Sequence, residues 1–179
     1  MVIKVLILNK NYYFKTYNLI KQIITKFYLG ELNILNMKIL VMGLPGSGKT
    51  YLAERLVSLL GAAWINADRV RNMVNDWNFT ASGRLIQSHR MRNIADFETK
   101  IGRIVVCDFV CPTEETRQIF DADILIWMDT IKQGRFEDTN LMFQKPNQVD
   151  FHITEFNEHN HLDIVKELIH QKKITKYAQ

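Results

Sequence analysis

The residues Gly43, Leu44, Pro45, Gly46, Ser47, Gly48, Lys49 and Thr50 satisfy the spacing G-x-x-x-x-G-K-[ST]. They follow Lys38 to Met42, which reads as a buried strand, and precede a helical pattern from Thr50 to about Leu60 that Gly61 can end. That context gives the octapeptide its meaning. Between a strand and a helix its glycines let backbone N–H groups turn inward around a polyphosphate, and the helix start adds its dipole. Lys49 supplies a point charge to the β- and γ-phosphates, while the Thr50 hydroxyl can ligate Mg²⁺. A tight turn alone would need glycine but not the Lys and Thr that follow. The chain is thereby restricted to an α/β domain that opens strand, loop, helix and holds a nucleoside triphosphate. No N-K-x-D guanine reader occurs in the sequence, so ATP with Mg²⁺ is the implied pair.

Downstream, short apolar β runs alternate with helical segments, the pattern of a parallel sheet flanked by helices. Ala63 to Ile65 reads as a second strand, and Asp68 can cap a helix running to about Asp76. A longer helix spans Gly83 to about Thr99. Ile104 to Phe109 and Ile124 to Met128 read as buried strands separated by a helix beginning near Thr113. From Asp129 to Asp150 the pattern lapses into a polar stretch too long for a simple connector, so residues of about 131–148 are a candidate lid. Phe151 to Ile153 offers a last strand and Leu162 to Ile169 a closing amphipathic helix. About 143 residues from Met37 onward leave room for a sheet, a substrate pocket and a lid but little else, which favours phosphoryl transfer to a small molecule.

Residues 1–36 differ from the rest. They contain no Ala, Arg or Pro, and Ile, Leu, Lys, Asn and Tyr account for 26 of them. Of the chain's 23 basic and 19 acidic residues, five lysines and one glutamate lie there, leaving 18 of each from Met37 onward. The basic balance is therefore no argument for a nucleic-acid partner. Leu19, Ile20, Ile23, Ile24, Phe27 and Tyr28 recur at helical spacing beside Lys21 and Lys26. Such a helix could lie on a membrane surface, pack on the domain, or belong to an extension that the working protein does not need. The compositional change favours the extension, so the expected division is an extension at 1–36 and a kinase domain at 37–179. No apolar run approaches the roughly eighteen residues of a spanning helix, and no small-residue cleavage site follows a hydrophobic region. Cys107 and Cys111 are too few for a disulfide framework and read as free thiols, which points to a reducing, cytosolic setting.

Two further segments, "NADRVRNMVNDWNF" and "TASGRLIQSHRMRNIAD", carry the residues that would choose an acceptor. An acid at a strand end facing the phosphate loop can orient Mg²⁺ or take a hydroxyl proton, and Asp68 is that acid. Asp108, in "VVCDF" at the end of a predicted strand, is placed either to reach the metal or to pair with Arg71 or Arg84. Trp64, Trp77 and Trp127 read as core or pocket wall. His152, His159 and His161 lack the supporting ligands of a metal site.

From Met37 to about Ile153 the chain resembles the adenylylsulfate (APS) kinases. In that family the phosphate loop is followed by D-G-D-N-V-R-x-x-x-N, a phenylalanine, an arginine some five residues later, then F-I-S-P and a lid containing N-F-T-G-I ahead of A-P. Here Asp68, Arg71 and Asn75 fall on D-x-x-R-x-x-x-N, Phe79 follows after a gap one residue shorter, and Arg84 lies five beyond it. "FVCP" from Phe109 to Pro112 is similar to F-I-S-P. "GRFEDTNLMFQKP" from Gly134 to Pro146 is similar to the lid, with Phe136 at the aromatic position.

The resemblance implies a P-loop kinase-type three-layer sandwich with a mainly parallel five-stranded sheet and a lid. It implies transfer of the ATP γ-phosphoryl to the 3′-hydroxyl of adenylylsulfate, with Asp68 orienting that hydroxyl or the metal; Lys49 of the phosphate loop and Asp108 at its strand end complete the expected catalytic set. Phe79 and Phe136 would sandwich the adenine of the acceptor, Arg71 and Arg84 would hold its phosphosulfate, and Asn75 and Phe109 would complete the acceptor side. The partner would be a small nucleotide, neither nucleic acid nor membrane, and a homodimer is compatible with the family. This chain departs from the pattern at Asn66 and Ala67, which replace the first Asp and the Gly of D-G-D, at Cys111 for serine, at Glu114 for arginine, and at Gln87 for asparagine. A glutamate facing an anionic acceptor would be unfavourable, so the direction of Glu114 bears on the acceptor. Rival readings are a kinase for another nucleotide, nucleoside or nucleic-acid end, and a non-catalytic nucleotide-binding module.

Overall fold

The structure, a computed structural model, describes residues 36–170 together with Asn18. The helical pattern expected over Leu19 to Tyr28 lies outside the described residues. By packing, the chain divides into two compact units, Leu35–Val165 and a second made of Met1–Ile34 with Lys166–Gln179. The fold of the first unit is what positions the site.

Its order is β1 (Lys38–Gly43), α1 (Lys49–Leu60), β2 (Ala63–Asn66), α2 (Ala67–Val74), α3 (Ala81–Lys100), β3 (Val105–Asp108), α4 (Glu114–Phe120), β4 (Ile124–Met128), α5 (Glu137–Met142) and β5 (Phe151–Ile153). A last helix, α6 (Asn160–His170), begins in this unit. The five strands form one sheet in the order β2-β3-β1-β4-β5, and every pairing is parallel. Where the sequence reading expects a mainly parallel sheet, the described sheet is wholly so.

β1 and β3 are buried at every position because both faces of the sheet are covered. Successive side chains of a strand point to opposite faces. Leu40 and Met42 join Val70, Met91, Ala95 and Phe120 in one core, built from α2, α3 and α4. Ile39 and Val41, fully buried as well, face the other way, and α1 packs against β1, β2 and β3. In α1, Lys49, Leu52, Ala53, Leu56 and Leu60 make the buried stripe at helical spacing. These are the three layers of the expected sandwich.

Three boundaries differ from the sequence reading for local reasons. The cap of α2 is Asn66, not Asp68: it ends β2 in an extended conformation, where its Oδ1 accepts from the Arg69 N–H at 3.0 Å. Asp68 sits inside the first turn. The same helix stops at Val74 because Asn75 turns left-handed, φ 48°, and its N–H closes back on Arg71 and Asn72 carbonyls. α3 starts at Ala81 because the Thr80 side chain accepts from the Gly83 N–H at 3.2 Å. Helix α5 is new: it lies in the polar stretch, too short at six residues to show a period.

Candidate active site

In an open parallel sheet, ligands bind outside the carboxyl ends of the strands where the strand order reverses. Here the chain leaves β1 for β2 and β3 on one side and then crosses to β4 on the other. The phosphate loop occupies that point. Gly43 takes φ 143° beside its register partner Met128, and a Cβ there would collide with the Met128 carbonyl. Gly48 caps α1 in a left-handed conformation, φ 88°, presenting the helix N-terminus to the cavity. Thr130 Oγ1 donates to the Ser47 carbonyl at 2.8 Å and ties the loop to the end of β4. The buried Ser47 hydroxyl has no hydrogen-bond partner among the described residues.

Lys49 is buried and donates through Nζ to the Leu44 carbonyl at 2.7 Å, so the lysine closes the loop on itself. Burial lowers its pKa to about 8, against the pull of the Asp108 and Asp68 carboxylates. Thr50 Oγ1 donates to Asp108 Oδ2 at 2.8 Å. Asp108 is also bonded by Trp64 Nε1 at 2.8 Å and Asn66 Nδ2 at 2.9 Å. Of the two roles open to Asp108, the arginine pairing is not the one seen: its partners are Thr50, Trp64 and Asn66. Thr50 and Asp108 bring two hard oxygens together at the phosphate loop, a donor set suited to Mg²⁺.

The opposite wall comes from α2, α3 and the loop between them. Arg71 and Arg84 are buried at 3% and 8% exposure, unusual for arginine unless its donors are used. Arg71 Nη1 donates to the carbonyls of Asp76 at 2.9 Å and Asn78 at 3.0 Å, shaping the loop. Arg84 Nε donates to the Phe79 carbonyl at 2.9 Å, and its Nη2 to Thr139 Oγ1 of α5 at 2.7 Å, with Asp138 Oδ2 at 3.4 Å. Both guanidinium groups lie near the Phe79 ring, 4.5 and 5.6 Å from its centroid. Phe79 and Phe136 remain exposed, at 44% and 58%, two aromatic side chains that the core does not fully consume.

A single cavity of about 770 Å³ joins these parts. Gly46, Gly48, Lys49 and Thr50 line it on the phosphate side, and Asp68, Arg71, Phe79, Arg84, Phe109 and Phe136 line it elsewhere. Asp108 lies among them. The expected Asn75 does not: it is exposed and serves as the left-handed end of α2. Gly43, Leu44 and Ser47 support the loop without lining the cavity. Glu114 is also outside it, and its carboxylate pairs with Arg117 at 3.1 and 3.2 Å. Arg117 in turn donates to the Cys111 carbonyl at 3.2 Å, bracing a residue held left-handed at φ 46°. Burial pushes the Cys111 thiol up to about 12 and raises Cys107 further, so both free cysteines are poor nucleophiles.

The sequence reading leaves out Thr139 and the contacts that Trp64, Asn66 and Arg135 make. Trp64 and Asn66 alternate on one face of β2 and reach Asp108, a relation visible only once β2 and β3 are paired. Thr139 is buried against Arg84, and Arg135 lines the cavity beside Gly46. Among the described residues no group of three or more His, Cys, Asp or Glu side chains could hold a metal ion, and no helix is long and apolar enough to cross a membrane. His152 instead stacks on Trp127 at 4.3 Å and meets Asp129 at 3.0 Å.

Residues 36–129 match the family model for adenylylsulphate kinase. A probable adenylyl-sulfate kinase of Aeropyrum pernix is 37% identical over 86 residues, 43% of this chain and 45% of that one. The bifunctional enzyme NodQ of Rhizobium tropici is 34% identical over 83 residues, 43% of this chain and 13% of that one. The chain thus spans less than half the length of the curated relatives it matches. In fold it is similar to the Mycobacterium tuberculosis APS kinase CysC in complex with AMPPNP and APS, with a TM-score of 0.64 at 18% identity, covering 75% of this chain and 97% of that one.

Proposed function

This chain belongs to the adenylylsulphate kinase family, and from that premise we propose that it transfers the γ-phosphoryl group of ATP to the 3′-hydroxyl of adenylylsulfate. The observation that carries the reading is the convergence, in one cavity, of a phosphate loop with two buried arginines and two exposed phenylalanines. Lys49, released from the Leu44 carbonyl, would hold the β- and γ-phosphates. Mg²⁺, bound with the triphosphate, would offset the charge on the transferred group, and Thr50 and Asp108 are the residues that would hold it. Asp68 would orient the acceptor hydroxyl and take its proton. Arg71 and Arg84 would clasp the phosphosulfate, Phe79 and Phe136 would stack on the adenine, and Arg135 with the rest of 131–148 would exclude water. The position of Glu114 outside the cavity, paired with Arg117, removes the charge that counted most against an anionic acceptor.

One contact favours a second reading. Asp138 lines the cavity next to Arg84 and would weaken its hold on an anion, which suits a nucleoside or another acceptor of lower charge. A coupled ADP-release assay compares adenylylsulfate with nucleosides and oligonucleotides, with Lys49→Ala and Asp68→Ala as controls. Turnover with adenylylsulfate that both substitutions abolish is the expected result. No ADP above background with that acceptor would end the first reading.

A further inference from the structure

We propose that the carboxylate which the family pattern places at the end of β2 sits one strand across in this chain, at Asp108. Asn66 and Trp64 are then positioning residues that aim it at the cation bound with the triphosphate. The proposal rests on reading the cavity as a triphosphate site. In the D-G-D pattern the first acid falls on Asn66, an amide here. β2 and β3 run parallel, and their register sets Asn66 opposite Asp108.

The two side chains meet, Asn66 Nδ2 donating to Asp108 Oδ2 at 2.9 Å, and Thr50 Oγ1 donates to that same oxygen. Trp64 Nε1 holds the other oxygen at 2.8 Å. Asp108 is only 2% exposed, and a buried carboxylate needs such donors to stay in place. Asn66 uses both ends of its amide. Its Oδ1 caps α2 by accepting from Arg69, and its Nδ2 fixes Asp108. A carboxylate at 66 could do the first but not the second, because it would face Asp108 with like charge at hydrogen-bond distance. The pair therefore accommodates one acid and one amide, and the chemistry is indifferent to which strand carries which.

The test is metal binding without turnover. Mn²⁺ stands in for Mg²⁺, with saturating AMPPNP, and the electron paramagnetic resonance signal of the free ion reports what is bound. Asp108→Asn should weaken Mn²⁺ binding roughly tenfold or more, and the exchange variant Asn66→Asp/Asp108→Asn should restore it to within about threefold of the parent. Trp64→Phe keeps the carboxylate but loses one donor. It should weaken Mn²⁺ roughly tenfold while leaving metal-free AMPPNP affinity within about twofold, which a general loss of structure would not do. Parental Mn²⁺ affinity in Asp108→Asn, or an exchange variant no tighter than Asp108→Asn, would overturn the proposal. Should the exchange variant lack cooperative unfolding, Asp108→Asn and Trp64→Phe decide the matter. Failure of the parent to bind AMPPNP would overturn the triphosphate reading and this proposal together, whereas inactivity toward adenylylsulfate would leave the metal result standing.

Discussion

Arg84 donates from α3 to Thr139 of α5 at 2.7 Å, so the segment beside the cavity is fastened by a side chain that itself lines the cavity. Asp138, next along α5, meets the same guanidinium at 3.4 Å. An anionic acceptor taking Arg84 must compete with both. Because Asp138 is largely exposed, its effect is modest: Asp138→Asn should lower KM for an anionic acceptor about two- to fivefold with kcat unchanged. Steady-state kinetics at low salt check this, and an unchanged KM would mean that Arg84 does not touch the acceptor.

Phe79 carries two guanidinium groups near its ring and still leaves much of its surface open. Phe79→Ala should raise KM for a purine acceptor roughly tenfold, given a stacking contribution of about 1 kcal/mol beyond burial, and leave KM for ATP unchanged. Phe79→Tyr should behave as the parent. Equal losses for both substrates would assign the ring to architecture alone.

Asn75 separates pattern from place. Its left-handed backbone at φ 48° ends α2, and it lies away from the cavity. Asn75→Gly should retain full activity and stability, whereas Asn75→Ala should cost about 1 kcal/mol in urea unfolding with kcat/KM intact. A large kinetic defect in Asn75→Gly would return the residue to the acceptor site.

Lys49 predicts an inverted pH response. Its folded pKa of about 8 lies below the ordinary 10.5. Between those values the unfolded chain keeps a proton that the folded chain has released, so stability rises with pH across that window. Below about pH 8 the cost of burying the ammonium is present in full. Relative to Lys49→Met, the parent should gain on the order of 3 kcal/mol between pH 7.5 and 10.5 in urea unfolding. Curves that stay parallel would show that Lys49 titrates normally. AMPPNP affinity should fall over the same range as the lysine loses its charge.

Much of the site is legible in the chain because it is local. The phosphate loop declares itself by contiguous residues, and Arg71, Phe79 and Arg84 by spacing within two helices and a short loop. Asp108 is legible as an acid at a strand end, but its partners are not. Trp64 and Asn66 meet it only through the parallel pairing of strands separated by α2 and α3, and that register is written nowhere in the local sequence. Thr139 is hidden for a similar reason: a six-residue helix has no period to read, and its contact with Arg84 crosses 55 residues. Asn75 is misread for the opposite reason. A left-handed helix end and a ligand contact favour the same residue type.

Asn66 and Asp108 stand 42 residues apart along the backbone and side by side in the sheet. Inheritance meets them as one locus with two spellings. Set against the D-G-D pattern, position 66 taken alone reads as an acid lost, while Asp108 keeps a carboxylate within hydrogen-bond reach of it. Changes at the two positions should therefore travel together through descent, and a lineage that altered one alone would pass through a state with two facing carboxylates or with none.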